Sequence, residues 1–215
     1  PELRQEITEK ISAYKRISVR EQRGQVIVKE LIGKEVPVTV DPTLTLDFRE
    51  WDKLINAPKR KEKYIFLYML DYAYNPAPYI YELVKHLQKK TGWIVLSNVE
   101  MPKSFGIRYH SVADAGIEEF LQLVRDSALV VTSSFHGVAF SVNFGVPLLA
   151  VVPQEIQADT RLTSLLEQLE LRKSIVRVGS TFDGLDGKYD KDREQRLLSD
   201  LRRDSIDYLR VALSN

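Results

Sequence analysis

The 215-residue sequence contains no cysteine, which excludes disulfides, thiolate metal sites and a cysteine nucleophile. No apolar run approaches the roughly 20 residues needed to cross a bilayer, and no signal-peptide pattern opens the chain. Neither sign of charge dominates: 31 Lys and Arg stand against 30 Asp and Glu, interspersed, for a formal net charge of +1. That balance provides no wide basic field, so nucleic acid is not an expected partner. Internal repeats and low-complexity tracts are also missing, and a cytoplasmic protein is the expectation. What the chain has is 44% hydrophobic residues, enough for one substantial core or for one domain and part of another.

Strand and helix patterns alternate along most of the chain. Helices are expected over 2–14, 25–32 and 48–55, with short strands over 16–19 and 36–40 between them. Residues 57–63 are polar, charged and preceded by Asn56, and read as a linker or a solvated turn. Beyond them the alternation becomes regular. Strands are expected over 64–70, 93–96, 129–131, 148–152 and 175–178, and helices over 76–90, near 117–124, and over 136–144, 161–169 and 191–213. Strands joined by helical crossovers predict a parallel sheet covered on both faces, so the fold class is α/β, a Rossmann-like three-layer sheet. The segment 64–215 supplies a complete domain. Residues 1–56 supply about two strands, and either form the remnant of a first half or extend the same sheet.

The chemistry concentrates in Val130-Val131-Thr132-Ser133-Ser134-Phe135-His136-Gly137-Val138-Ala139-Phe140. A buried strand breaks into a Ser-rich turn carrying one of only three histidines, then resumes as an apolar helix ending near Gly145. Such corners are where open α/β sheets place ligands and where unpaired helix amides meet anions. An imidazole changes charge near pH 7 and serves there as general acid or base.

Three blocks carry a family resemblance: Ile17-Ser18-Val19-Arg20-Glu21; Val40-Asp41-Pro42-Thr43-Leu44; and Thr132-Ser133-Ser134-Phe135-His136-Gly137 with Phe144-Gly145-Val146-Pro147-Leu148. In order and spacing they resemble the polysaccharide pyruvyl transferase family, over roughly residues 14–180. The resemblance implies a GT-B-like architecture of two Rossmann-like halves facing across a cleft, as in two-domain glycosyltransferases. Residues 64–215 would be the second half and 1–56 the tail of the first. It further implies transfer of the enolpyruvyl unit of phosphoenolpyruvate onto a sugar, leaving a pyruvate ketal, in cell-surface polysaccharide biosynthesis. Phosphoenolpyruvate would be the donor substrate and a sugar or lipid-linked oligosaccharide the acceptor, with no metal and no cofactor. Peripheral membrane contact and a homo-oligomer stay open. So do two rival functions: a glycosyltransferase using a nucleotide sugar, and a non-catalytic carbohydrate-binding relative.

Within that reading, His136 is the proton-transfer or phosphate-binding group and Arg20 the anion clamp, because a guanidinium grips carboxylate or phosphate with parallel hydrogen bonds. Arg20 paired with Glu21 or Asp41 on the surface is the alternative. Gly137 would let backbone approach the anion, with Ser133 and Ser134 beside it. Some family members carry Arg two residues before the His, where this chain has Ser134, so Arg161, Arg108 or Lys103 would have to supply charge. Asp41 either caps the turn after it or lines the cleft. Asn98, Gln154 and Arg161 follow strand ends and are further candidates for substrate binding; Tyr68, Tyr72, Tyr74 and Tyr79 either stack on a sugar ring or, more commonly for such clusters, pack around a loop.

Overall fold

The computed structural model describes residues 2–70, 74–155 and 160–214. Its centre is one parallel sheet of six strands: β1 (Tyr64–Tyr68), β2 (Ile94–Ser97), β3 (Tyr109–Ser111), β4 (Leu129–Thr132), β5 (Leu148–Val152) and β6 (Ile175–Arg177). They lie in the order β3-β2-β1-β4-β5-β6. The three central strands, β1, β4 and β5, are near-continuous apolar runs because both of their faces are covered. The chain moves outward from β1 to β3, then returns to β4. At such a reversal the neighbouring crossovers diverge and leave a crevice at the carboxyl ends of the strands.

On one face, helix α5 (Tyr79–Thr91) covers Ile65, Leu67 and Val95. The other face, with Tyr64, Phe66, Val130 and Leu148, is covered by α6 (Ile117–Arg125), α7 (Phe135–Phe144), α8 (Thr160–Gln168) and α9 (Lys191–Leu213). Helix α7 lies between its neighbours and is buried on nearly all sides, which explains why its sequence is apolar around the whole circumference. Among the described residues no helix is long and apolar enough to cross a membrane.

Residues ahead of the sheet form α1 (Glu2–Ser12), α2 (Gln22–Ile32), α3 (Pro42–Thr45) and α4 (Phe48–Asp52). The strands expected over 16–19 and 36–40 reduce to one parallel bridge, Val19 with Val38. Val19 donates to the Pro37 carbonyl at 3.1 Å and Thr39 donates to the Val19 carbonyl at 2.8 Å. Pro37 has no N–H with which to extend that ladder. The chain then turns into α3, with Asp41 as N-cap and Pro42 at the first helical position. Helix α9 fastens this segment: Ser205 Oγ accepts from the Val40 amide at 2.9 Å, Arg202 Nε donates to the Leu44 carbonyl at 2.7 Å, and Tyr208 donates to Ile17 at 2.8 Å.

The charged stretch expected to be a linker or turn is held against α6. The Arg60 amide donates to Asp126 Oδ2 at 2.9 Å and Gln122 donates to the Pro58 carbonyl at 3.0 Å. Strand β3 was not expected from the sequence. It is a three-residue edge strand whose His110 and Ser111 side chains are exposed, so it carries no apolar pattern.

Candidate active site at the carboxyl edge of the sheet

The corner between β4 and α7 is built by close packing. A Cβ on Gly137 would lie 2.3 Å from Thr132 Oγ1 and 2.9 Å from Thr132 Cβ, so only glycine lets the first turn of α7 sit on the end of β4. Gly137 was expected to let backbone approach an anion; the helix–strand contact with Thr132 requires glycine here in its own right. Ser134 is the N-cap in extended conformation. Its side chain caps no amide, while its own N–H donates to Thr132 Oγ1 at 3.0 Å.

Beyond Tyr68 the β1 ladder is continued by side chains. Asn98 Oδ1 accepts from the Met69 amide at 2.8 Å and its Nδ2 donates to the Met69 carbonyl at 2.9 Å. Ser133 Oγ accepts from the Leu70 amide at 3.1 Å and donates to the Leu70 carbonyl at 2.9 Å. Thr132 Oγ1 donates to the Tyr68 carbonyl at 2.6 Å. Asn98 and Ser133, both candidates for holding substrate, therefore spend these polar atoms on fixing the edge of the crevice.

His136, the second residue of α7, is exposed. It lines a cleft of 710 Å³ with Tyr68, Asn98, Val112, Phe120 and Phe140. That volume lies within the about 300–1,000 Å³ of small-molecule sites. The Tyr68 and Phe120 rings are 4.7 Å apart, and Phe120 meets Phe140 edge to face at 5.7 Å. An aromatic wall of this kind suits the C–H face of a sugar ring, with His136 as the titratable group at its margin.

Arg20 lies beside Phe135. Its Nη1 donates to Asp41 Oδ2 at 2.7 Å, while Asp41 Oδ1 accepts from the Thr43 amide at 3.0 Å and hydroxyl at 2.8 Å. The Asp41 side chain is 3% exposed and that of Arg20 43%. Burial pushes the Asp41 carboxyl up, but the Thr43 amide and hydroxyl and the Arg20 guanidinium outweigh it and hold the group below its ordinary range. The Arg20 guanidinium stands 5.9 Å from the Phe135 ring centroid and that of Arg161 stands 6.0 Å from the same ring. The Phe135 and His136 ring centroids are 5.5 Å apart.

The sequence suggested an imidazole facing a guanidinium across one cleft. Instead the two groups line different spaces: His136 the larger cleft, and Arg20 a smaller 110 Å³ slot shared with Phe135, Arg161, Thr39, Ser164, Gln168 and Asp204. Successive helical residues point about 100° apart, so Phe135 and His136 address different spaces. Of the other cations considered, Arg108 precedes β3 at the opposite edge of the sheet and donates to the Gly92 carbonyl at 3.1 Å. Lys103 lies in a short 3-10 turn, also ahead of β3. Gln154 is exposed just beyond β5. Tyr74 and Tyr79 donate to the Val151 and Ser180 carbonyls, and Tyr72 lies outside the described residues. Among the described residues no group of three or more His, Asp or Glu side chains is placed to hold a metal ion.

The family model for polysaccharide pyruvyl transferase matches residues 1–155, starting ahead of the first recognisable block and stopping before α8. No curated protein matches the chain in sequence. Among solved structures, the UDP-GlcNAc 2-epimerase of Neisseria meningitidis bound to UDP-GlcNAc is similar with a TM-score of 0.51 at 11% identity, over 92% of this chain and 55% of that one. UGT89C1 of Arabidopsis thaliana, complexed with quercetin, gives 0.46 at 14% identity, over 93% and 51%. CalG4, the calicheamicin glycosyltransferase, gives 0.40 at 20% identity, over 74% and 40%. The chain thus spans about half the length of these structures or less. The likeness to the epimerase is one of fold, a Rossmann-like α/β architecture.

Proposed function

Because this chain belongs to the polysaccharide pyruvyl transferase family, we propose that it moves the enolpyruvyl unit of phosphoenolpyruvate onto a sugar as a pyruvate ketal. The acceptor in this reading is a sugar or lipid-linked oligosaccharide destined for a cell-surface polysaccharide. In the first step a proton reaches the methylene carbon of phosphoenolpyruvate while one sugar oxygen bonds to the neighbouring carbon and gives up its proton. In the second, the other sugar hydroxyl displaces the phosphate from that carbon, closing the ketal and releasing inorganic phosphate. Each step needs a positioned proton donor or acceptor, and such a group is worth about 10²–10⁴-fold in rate.

The observation that carries this reading is the placement of His136. It is exposed at the strand-to-helix corner, borders an aromatic cleft, and touches through Phe135 a pair of arginines suited to an anionic donor. In this reading His136 moves the proton, the Tyr68–Phe120 wall carries the acceptor, and Arg20 holds the donor anion with Asp41 fixing its orientation.

The test is phosphate release that requires both phosphoenolpyruvate and an acceptor oligosaccharide, with the ketal identified by mass and NMR. Loss of turnover in His136→Gln with phosphoenolpyruvate binding retained supports the assignment. Turnover of a nucleotide sugar, with no response to phosphoenolpyruvate, replaces it with the glycosyltransferase reading.

A further inference from the structure

The slot beside Phe135 has features that the family match does not account for, since Arg161 lies outside the matched residues. Two guanidinium groups from separate elements, Arg20 before α2 and Arg161 in the first turn of α8, approach one phenyl ring at 5.9 and 6.0 Å. A cation over an exposed aromatic face gains too little to be the sole reason for gathering two like charges. Arg20 spends Nη1 on Asp41, which leaves most of its five donors for another acceptor. Among the described residues Arg161 forms no ion pair. Asp204 is the carboxylate that lines the slot, but it is 73% exposed and 3.6 Å from Arg203, so water and that neighbour screen it.

Volume limits what enters. At 110 Å³ the slot is well below the about 300–1,000 Å³ of sites that hold whole small molecules. It admits one anionic group, and the remainder of any ligand lies outside. A carboxylate offers two oxygens in one plane and a single charge, whereas a phosphoryl group carries more oxygens and about −1.5 to −2 charge. A tetrahedral phosphoryl group presents several edges and satisfies two forks arriving from different directions.

We propose that Arg20 and Arg161 form a two-guanidinium slot that binds a phosphoryl group, with Arg161 as its second cation. The site deepens the reading of a phosphoenolpyruvate donor, but its chemistry serves free inorganic phosphate equally.

Calorimetric titration of the protein with inorganic phosphate, phosphoenolpyruvate and pyruvate tests this, repeated with Arg161→Gln and Arg161→Lys. Phosphate and phosphoenolpyruvate are expected to bind at least tenfold more tightly than pyruvate. Arg161→Gln should weaken both at least tenfold, Arg161→Lys should recover part of the loss, and the melting temperature without ligand should stay unchanged. A loss confined to phosphate keeps the slot as a phosphate site and overturns its assignment to the phosphoenolpyruvate donor. The slot itself is overturned if the protein binds neither phosphate compound, if Arg161→Gln binds both as tightly as the unmodified protein, or if pyruvate binds best.

Discussion

Arg20 Nη1 reaches Asp41 Oδ2 at 2.7 Å, so the cation that faces the anion slot also completes the shell of a buried carboxylate. Asp41→Asn keeps the size and removes the charge. We expect a loss of about 1–3 kcal/mol at pH 7, the usual cost of spoiling hydrogen bonds to a buried charged group. The acid limb should change as well. Asp41 has a folded-state pKa below its ordinary 3.8, so its stabilisation is complete above that value and is lost as pH falls through the folded value. Urea melts of both proteins between about pH 5 and pH 2 should converge at the acid end. Parallel curves would rule out this role for the pair.

Gly137→Ala tests the corner itself. The new methyl would overlap Thr132 Oγ1 at 2.3 Å, and Thr132 cannot retreat because its hydroxyl is held by the Tyr68 carbonyl and the Ser134 amide. Overpacking of this kind costs about 1–3 kcal/mol, occasionally more. The variant should melt well below the unmodified protein and lose activity together with stability. A normal melt would show that α7 can lift from β4 without cost.

His136 should behave in the opposite way. It is exposed, so His136→Gln removes little packing and is expected to leave stability within about 0.5 kcal/mol. The expected loss is kinetic, about 10²–10⁴-fold in turnover, with donor affinity changed far less. Thermal melts and initial rates measured on the same preparation separate the two effects. A lower melting temperature with unaltered rate would make His136 a structural residue.

These three positions show how far the sequence carries. The β4–α7 corner was legible because an apolar run, a polar turn and a glycine-ended helix are local signals, and Gly145 does adopt φ 64° at the helix end. Helix α9 was legible because Leu198, Leu201, Ile206, Leu209 and Leu213 fall within one apolar arc, and Asp190 caps its start by accepting from the Arg193 amide. Strand β3 was not, since an exposed edge strand needs no apolar alternation. Asn98 and Ser133 were read as ligand groups because no sequence signal shows that the Met69 and Leu70 backbone lies within their reach. Nor does the sequence show that Phe135 and His136 face two different spaces. That depends on the azimuth of α7 and on where α8 brings Arg161, both set by packing between distant segments.

The least expected titratable group is Glu194, in the first turn of α9 and 1% exposed. Its Oε2 accepts from Gln195 at 2.9 Å, while Oε1 is buried with no hydrogen-bond partner among the described residues. Burial pushes its pKa up to about 7, and Gln195, Arg202 and Lys191 offset only part of that. The folded state therefore holds this proton in a range where the unfolded chain, with the ordinary 4.5, has released it. Stability from this group is complete below about pH 4.5, falls as pH rises and is gone above about 7. The total is on the order of 3 kcal/mol at about 1.36 kcal/mol per pH unit. Glu194→Gln supplies a permanently neutral side chain of nearly the same shape. It should flatten this slope and make the variant more stable than the unmodified protein at pH 8, yet nearly equal to it at pH 4, as read from denaturant midpoints across the range. Equal slopes in the two proteins would mean that Oε1 keeps its charge in the folded state and that water reaches it.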